Sequence, residues 1–282
     1  MLTLGRRSGK GRWSTVNGRY HSKIAAVAIT VILGTAALTA LQRFRSPRRS
    51  REPPSLSWEQ GDENAEFHFT RLVYESGGGG WRRRGSWATD YPEAEYHFMQ
   101  GVRRLTRIDA AAGSKLVQLL DDSLFDYPWL YAVEVGRWYL GPQEAERLRE
   151  YLLRGGFLIV DDFHGTYQWA VFMSSMRRVF PDRPVFEIEA GDPILHVLYD
   201  LDNGIQLPGI QYVWSGSTYE RDGIQPHWRG ILDDDGRLMV AINFNMDLGD
   251  AWEHADTPEY PEQMTALAYR FGINYILYAM TH

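Results

Sequence analysis

The sequence predicts an α/β fold organised around a parallel sheet, and three observations support that class. Short apolar runs typical of strands alternate along the chain with longer amphipathic runs typical of helices. Residues 157–160 are continuously apolar and follow two glycines, which is typical of a central strand covered on both faces. A polar turn with Asp161, Asp162 and His164 comes next. Ligands of open α/β sheets lie beyond the carboxyl ends of such strands, so we expect a site there.

The elements of the predicted domain follow in order from residue 65. Alternating apolar and polar residues predict a strand over 67–74. A helix is expected to begin at Asp90, a favoured N-cap residue with Glu93 at the capping-box position. Pro142 opens a further helix, which Gly155 stops. The remaining predicted elements are strands over 129–135 and 238–244, a turn over 233–236, and helices over 167–179 and 262–280.

The N-terminal part predicts a membrane anchor over residues 24–42, between a basic tail over 1–23 and a disordered, Pro- and Arg-rich linker over 43–64. The first 18 residues of the anchor carry no charge, and as a helix they would span about 27 Å, close to the hydrocarbon thickness of a bilayer. A cleaved signal peptide is the alternative. We expect a single-pass membrane protein whose domain, residues 65–282, lies outside the cytoplasm, although basic residues flank the anchor on both sides.

The composition excludes several classes of function. The chain of 282 residues has a net charge of −6, which argues against nucleic-acid binding. It contains no cysteine, which excludes disulfides, a thiolate nucleophile and cysteine-ligated zinc. It also contains no phosphate-binding loop, dinucleotide-binding motif or Gly-x-Ser-x-Gly motif. No cofactor is predicted, and no metal site either, because no two histidines stand at helical spacing.

Asp162 and His164 are the candidate catalytic residues. A tight turn from a strand into a helix lifts one side chain over the edge of the sheet, as in a nucleophile elbow. A carboxylate and an imidazole two residues apart can share a proton or bind a ligand. The alternative is structural: Asp162 caps the next helix and His164 is a solvated loop residue.

Further candidates for ligand binding lie near the ends of other predicted strands. Period-two alternation places Asn243, Asn245 and Asp247 on one face of the 238–244 strand and its extension, where they could line a pocket; a solvated, turn-rich loop is the alternative. Glu134 interrupts an apolar strand, so it is expected to pair with an arginine or to lie at the end of the sheet. Asp90 and Arg71 are grouped with Glu134, for which a structural ion pair with an arginine is favoured over a catalytic role; Asp161 is the remaining candidate for ligand binding.

An ordered set of segments resembles a bacterial family, domain of unknown function 4159. The resemblance covers about residues 65–282 and rests on Tyr91-Pro-Glu-Ala-Glu95, Arg104-Leu-Thr106, Leu130-Tyr131 with Glu134, Leu152-Leu-Arg-Gly-Gly-Phe157, Asp161-Asp-Phe163, Arg178-Val-Phe-Pro-Asp182, Gly249-Asp-Ala-Trp-Glu253 and Ala268-Tyr-Arg-Phe-Gly-Ile-Asn274. That family is grouped with the class I glutamine amidotransferase-like proteins. The resemblance therefore implies a flavodoxin-like three-layer α/β/α sandwich.

The resemblance also has implications for function. It places the Asp162 turn where amidotransferases carry their cysteine, so this chain is not expected to act as a glutaminase. We expect a non-catalytic ligand-binding or assembly module of the bacterial envelope, with an envelope protein or a small polar ligand as its partner. The alternative is a cysteine-independent hydrolase or isomerase that acts on a sugar-like or amide substrate. In that case Asp162 would be the acid/base or nucleophile and His164 its partner.

Overall fold

The domain is an α/β sandwich around one seven-stranded sheet. The computed structural model describes residues 64–76, 86–201 and 204–282. The sheet has the order β2-β1-β3-β4-β7-β6-β5. Its first five strands are parallel, β6 pairs antiparallel with β7, and β5 pairs antiparallel with β6. The strands are β1 (Phe67–Val73), β2 (Ala110–Gln118), β3 (Trp129–Val133), β4 (Phe157–Phe163), β5 (Phe186–Glu187), β6 (His227–Leu232) and β7 (Leu238–Phe244).

Helices cover both faces of this sheet, as the buried apolar run of β4 predicts. One face packs against α1, α5 and α6, and the other packs against α2 and α3. The two faces bury separate cores, one rich in aromatic rings around Phe69, Tyr131 and Trp252, and one mostly aliphatic. The helices are α1 (Glu93–Leu105), α2 (Pro142–Leu153), α3 (Gly165–Val179), α4 (Tyr212–Ser215), α5 (Leu248–Glu253) and α6 (Glu262–Thr281).

The β4 strand is the centre of the sheet, and all seven of its residues are buried. The prediction of a central strand is therefore confirmed, but the predicted end at Val160 is wrong. The strand continues to Phe163 through an irregularity in its pairing with β7, where Asp162 takes a left-handed conformation (φ 51°). A bulge of this kind redirects a side chain without ending the strand, which a reading of apolar runs does not detect.

The other predicted elements agree with the structure apart from their ends and five omissions. The strand expected over 129–135 ends at Val133, because Glu134 is left-handed (φ 55°). The helix expected to start at Tyr167 starts at Gly165, and the turn over 233–236 joins the antiparallel strands β6 and β7. The sequence reading missed β2, β5, β6 and the short helices α4 and α5.

The predicted capping role of Asp90 is wrong. The residue that precedes α1 is Pro92, and no side chain caps the helix. Asp90 is instead left-handed (φ 63°), and its carbonyl oxygen accepts a hydrogen bond from the backbone N–H of Ala94 at 2.9 Å. Its carboxyl group does not cap the helix and is left for another role.

The predicted tail, anchor and most of the linker lie outside the described residues. Among the helices that the structure describes, none is both long enough and apolar enough to cross a bilayer. Residues 24–42 therefore stay a predicted anchor.

Candidate functional site

A cleft of about 120 Å³ lies at the carboxyl edge of the parallel strands. Five segments contribute to it: the loop before α1, the turn after β3, the junction of β4 and α3, the loop before β6, and the start of α5. Its walls carry six carboxylates, which gives it a strongly acidic character. We call it the carboxylate cleft, and its lining residues are Thr89, Asp90, Glu134, Arg137, Asp162, His164, Gln168, Glu220, Arg221, Asp247 and Asp250.

Left-handed backbone conformations concentrate around the carboxylate cleft. Outside glycine, the described residues with positive φ are Asp90, Glu134, Asp162, Arg221 and Asn245. Four of them line the cleft, and Asn245 lies in the loop that directly precedes the lining residue Asp247. A non-glycine residue in this region costs about 1–3 kcal/mol and persists only where surrounding contacts impose it, which happens most often at functional sites.

The side chains of Asp162 and His164 meet at the base of the cleft. The Nε2 of His164 lies 3.2 Å from Oδ1 of Asp162, and only 3% of His164 is exposed. Burial and, to a smaller extent, the nearby Arg221 lower the pKa of His164 to about 3, so the imidazole is neutral. Burial raises the pKa of Asp162 well above its usual value, and the carboxylates of Glu134 and Asp90 add to that shift. The pair can therefore hold one proton between a carboxyl oxygen and a ring nitrogen.

Asp90, Glu134 and Asp247, which also line the cleft, hold protons more tightly than they would in water. Burial raises the pKa of Asp247 and Asp90 well above the usual value, and Asp162 and Asp250, respectively, are the strongest neighbouring charges. Burial likewise raises the pKa of Glu134 to about 7, although Arg137, 3.0 Å away, opposes this shift. The cleft thus concentrates like charges that repel one another unless protons or cations neutralise them.

Asp161 differs from Asp162, the next residue along β4, because its role is structural. Its Oδ2 accepts hydrogen bonds from the hydroxyl of Tyr131 at 2.8 Å and from the backbone N–H groups of Leu248 and Gly249 at 2.8 and 3.0 Å. The latter two are the first residues of α5, where a carboxylate satisfies amides that have no partner within the helix. Burial raises the pKa of Asp161 to about 7, against the effect of these hydrogen bonds. Asp161 therefore fixes α5 against the sheet.

The family known as Domain of unknown function (DUF4159) matches residues 68–280, about three quarters of the chain. This chain belongs to that family. The predicted family resemblance is thereby confirmed. No curated protein was found to match the chain.

The DUF4159 domain brings together only part of the predicted site. Asp90, Glu134, Asp162, His164 and Asp247 line the cleft. The other predicted ligand-binding residues, Asp161, Asn243 and Asn245, are buried behind it.

The two asparagines hold the scaffold of the DUF4159 domain instead. Oδ1 of Asn243 accepts a hydrogen bond from the hydroxyl of Tyr275 at 2.8 Å, beneath α6. Asn245 accepts a hydrogen bond from the Gly165 backbone N–H at 2.9 Å and donates one to the Gln225 carbonyl oxygen at 2.7 Å. It therefore joins the start of α3 to the loop before β6.

The sequence reading missed the lining residues Thr89, Arg137, Gln168, Glu220, Arg221 and Asp250. Two glycines that lie against carboxyl groups of the cleft could have indicated part of this site, including Asp250. A Cβ atom at Gly209 would lie 2.7 Å from Oδ2 of Asp247 and 2.8 Å from Oδ2 of Asp250, and one at Gly249 would lie 2.3 Å from Oδ2 of Asp90. Both glycines let backbone approach the carboxyl groups of the cleft closely. Glu220 and Arg221 come from an irregular loop and gave no comparable pattern.

Arg71 supports the cleft from behind. Its guanidinium is fully buried, forms an ion pair with Glu95, and donates to the carbonyl oxygens of Trp87 at 2.9 Å and Thr89 at 2.8 Å. These contacts hold the loop that carries Asp90 into the cleft. The sequence predicted an ion pair between Glu134 and an arginine, and Arg137 forms that pair, whereas Arg71 pairs with Glu95.

Proposed function

We propose that this protein is a membrane-anchored component of the bacterial envelope whose DUF4159 domain binds a small polar ligand in the carboxylate cleft. The main support is the convergence of five chain segments, four of them with a left-handed non-glycine residue, on one cleft. The cleft also lies where open α/β sheets bind their ligands, beyond the carboxyl ends of the strands. At about 120 Å³ it suits a ligand of a few heavy atoms, or the end of a larger one.

We further propose a flavodoxin-like, amidotransferase-like fold for the domain. The five parallel strands occur in the order β2-β1-β3-β4-β7, which corresponds to the order 2-1-3-4-5 of flavodoxin-like sheets. The sharp left-handed turn at Asp162 supports this assignment, because it lies at the end of the central strand.

A ligand screen tests the binding function. We expect a member of a library of small polar compounds to raise the melting temperature of the full chain in detergent, because a ligand that binds only the folded state stabilises it. Asp247→Asn should abolish that shift, since Asp247 lines the cleft. Asp235→Asn, in the exposed β6–β7 turn, is the matched control and should keep the shift. A ligand whose effect survives Asp247→Asn would place binding elsewhere.

A second candidate is a cysteine-independent hydrolase or isomerase that acts on a sugar-like or amide substrate. The contact of 3.2 Å between Asp162 and His164 favours it, because an acid and a base in hydrogen-bond reach at the base of a cleft suit proton transfer to a bound substrate. In that role Asp162 would give or take the proton, and His164 would hold its carboxyl group in place. Turnover of a ligand found in the screen, lost in Asp162→Asn, would distinguish this candidate from a binding module.

The proposed membrane anchor can be tested separately from the cleft. Deleting residues 1–42 is expected to move the protein from the membrane fraction to the soluble fraction, because it removes the 18 uncharged residues that would span the bilayer. Cell fractionation and immunoblotting would measure this. If the shortened protein stays in the membrane fraction, another part of the chain is the tether.

A further inference from the structure

Two groups of side chains in the carboxylate cleft have the arrangement of cation ligands. One contains Asp162, His164 and Glu220, and within it one donor atom from each residue can be chosen so that all lie within 4.8 Å of one another. The second group, Asp90, Asp247 and Asp250, meets the same condition. Both groups open to the same cleft, and this distinguishes them from scattered surface carboxylates.

Two buried polar atoms in this cleft have no hydrogen-bond partner among the described residues. They are Nδ1 of His164 and Oδ2 of Asp90. His164 as a whole is 3% exposed, and both atoms are inaccessible to solvent, so water cannot take the place of the missing partner. A buried polar atom without a partner costs free energy, and such an atom in a native protein often marks a missing ion or ligand. A cation held by the first group would give the His164 ring a partner, and one held by the second group would do the same for the Asp90 carboxylate.

The described residues leave the cleft with more negative than positive charge, because six carboxyl groups face only two arginines, Arg137 and Arg221. Glu134 has an arginine within 4 Å, namely Arg137 at 3.0 Å. The ion pairs that the structure describes join none of the aspartates of the cleft to a lysine or arginine; Asp162 pairs with His164. Buried carboxylates without a cationic partner take up protons or bind a cation. The cleft volume of about 120 Å³ leaves room for an ion with a few of its waters.

We propose that the carboxylate cleft binds a divalent first-row metal ion with the chemistry of Mn²⁺, held by Asp162, His164 and Glu220 with support from the second group of aspartates. Carboxylate oxygens suit Mg²⁺, Ca²⁺ and Mn²⁺, whereas an imidazole nitrogen suits the first-row transition metals, and Mn²⁺ accepts both. This inference rests on the proposed ligand-binding function and names the chemistry of one ligand. It departs from the sequence expectation of no metal site, which considered histidine spacing alone.

Electron paramagnetic resonance of Mn²⁺ with the full chain in detergent tests this proposal. Titration of the metal-free protein should show one tightly bound Mn²⁺, and spin-echo spectra should show coupling to a ligand nitrogen. His164 is the one histidine among the lining residues, so His164→Gln should remove that coupling. Glu220→Gln, in a half-buried loop where folding is not at risk, should weaken binding at least tenfold, and the control Asp235→Asn should leave it unchanged.

The outcomes separate this inference from the binding function. Equal Mn²⁺ affinity in the wild type, His164→Gln and Glu220→Gln, or bound Mn²⁺ without nitrogen coupling, would overturn the metal site. Binding as expected, with no compound from the ligand screen shifting the melting temperature, would support the metal site and count against an organic ligand. A compound that binds while Mn²⁺ does not would overturn the metal site and leave the ligand-binding function in place.

Discussion

Replacing Arg71 with alanine is expected to destabilise the domain by about 3–5 kcal/mol, because the change leaves Glu95 as a buried charge without a partner. Both side chains are almost completely inaccessible, and Arg71 also donates hydrogen bonds to the carbonyl oxygens of Trp87 and Thr89. Chemical denaturation monitored by the fluorescence of the buried tryptophans would measure the change in the free energy of unfolding.

Two further variants serve as controls for the effect of Arg71→Ala on stability. Arg137→Ala removes the half-exposed ion pair with Glu134, and we expect a loss of no more than about 1 kcal/mol. The double change Arg71→Met with Glu95→Leu replaces the buried pair by apolar side chains and should recover much of the stability. If Arg71→Ala cost no more than Arg137→Ala, the buried ion pair would not hold the loop before α1.

Replacing Asp161 with alanine is expected to destabilise the domain by about 3 kcal/mol or more. The change removes the acceptor of three hydrogen bonds, and the donors on Tyr131, Leu248 and Gly249 would stay buried without a partner, at about 1–3 kcal/mol each. Because two of these donors open α5, amide hydrogen exchange over Leu248–Glu253 should rise in the variant. Unchanged stability and exchange would contradict the anchoring role of Asp161.

Asp162→Asn, one residue further along β4, is the matched control and should behave in the opposite way. Asparagine tolerates the left-handed conformation of this position (φ 51°) well, and the change removes a carboxyl group that its acidic neighbours repel. We therefore expect unfolding stability equal to the wild type or higher by up to about 1 kcal/mol.

The sequence predicted the central strand and the location of the site because these follow from local patterns. A continuously apolar run marks a strand buried on both faces, and its polar end marks the edge of the sheet where ligands bind. Asp162 lies at the end of β4, and His164 and Asp247 come shortly after β4 and β7, so their convergence in the cleft could be expected. Asp90 and Glu134 were also selected, although Asp90 was given the wrong local role.

The rest of the site depends on backbone detail that a residue pattern does not carry. Asp161 and Asp162 are adjacent and chemically identical, yet the bulge at Asp162 sends one carboxyl group to the N-terminus of α5 and the other into the cleft. Asn243 belongs to β7 and so falls on the face covered by α6. Glu220 and Arg221 reach the cleft through a loop, and no periodicity marks residues in an irregular loop.

The central claim is that the carboxylates of the cleft serve a ligand and do not hold the fold together. The most direct test measures one variant, Asp162→Asn, in two ways: by rescue of a strain that lacks the gene and by the free energy of unfolding of the purified full chain. We predict that rescue is lost while the free energy of unfolding stays equal to that of the wild type or rises. Full rescue by a variant with markedly reduced stability would contradict the claim.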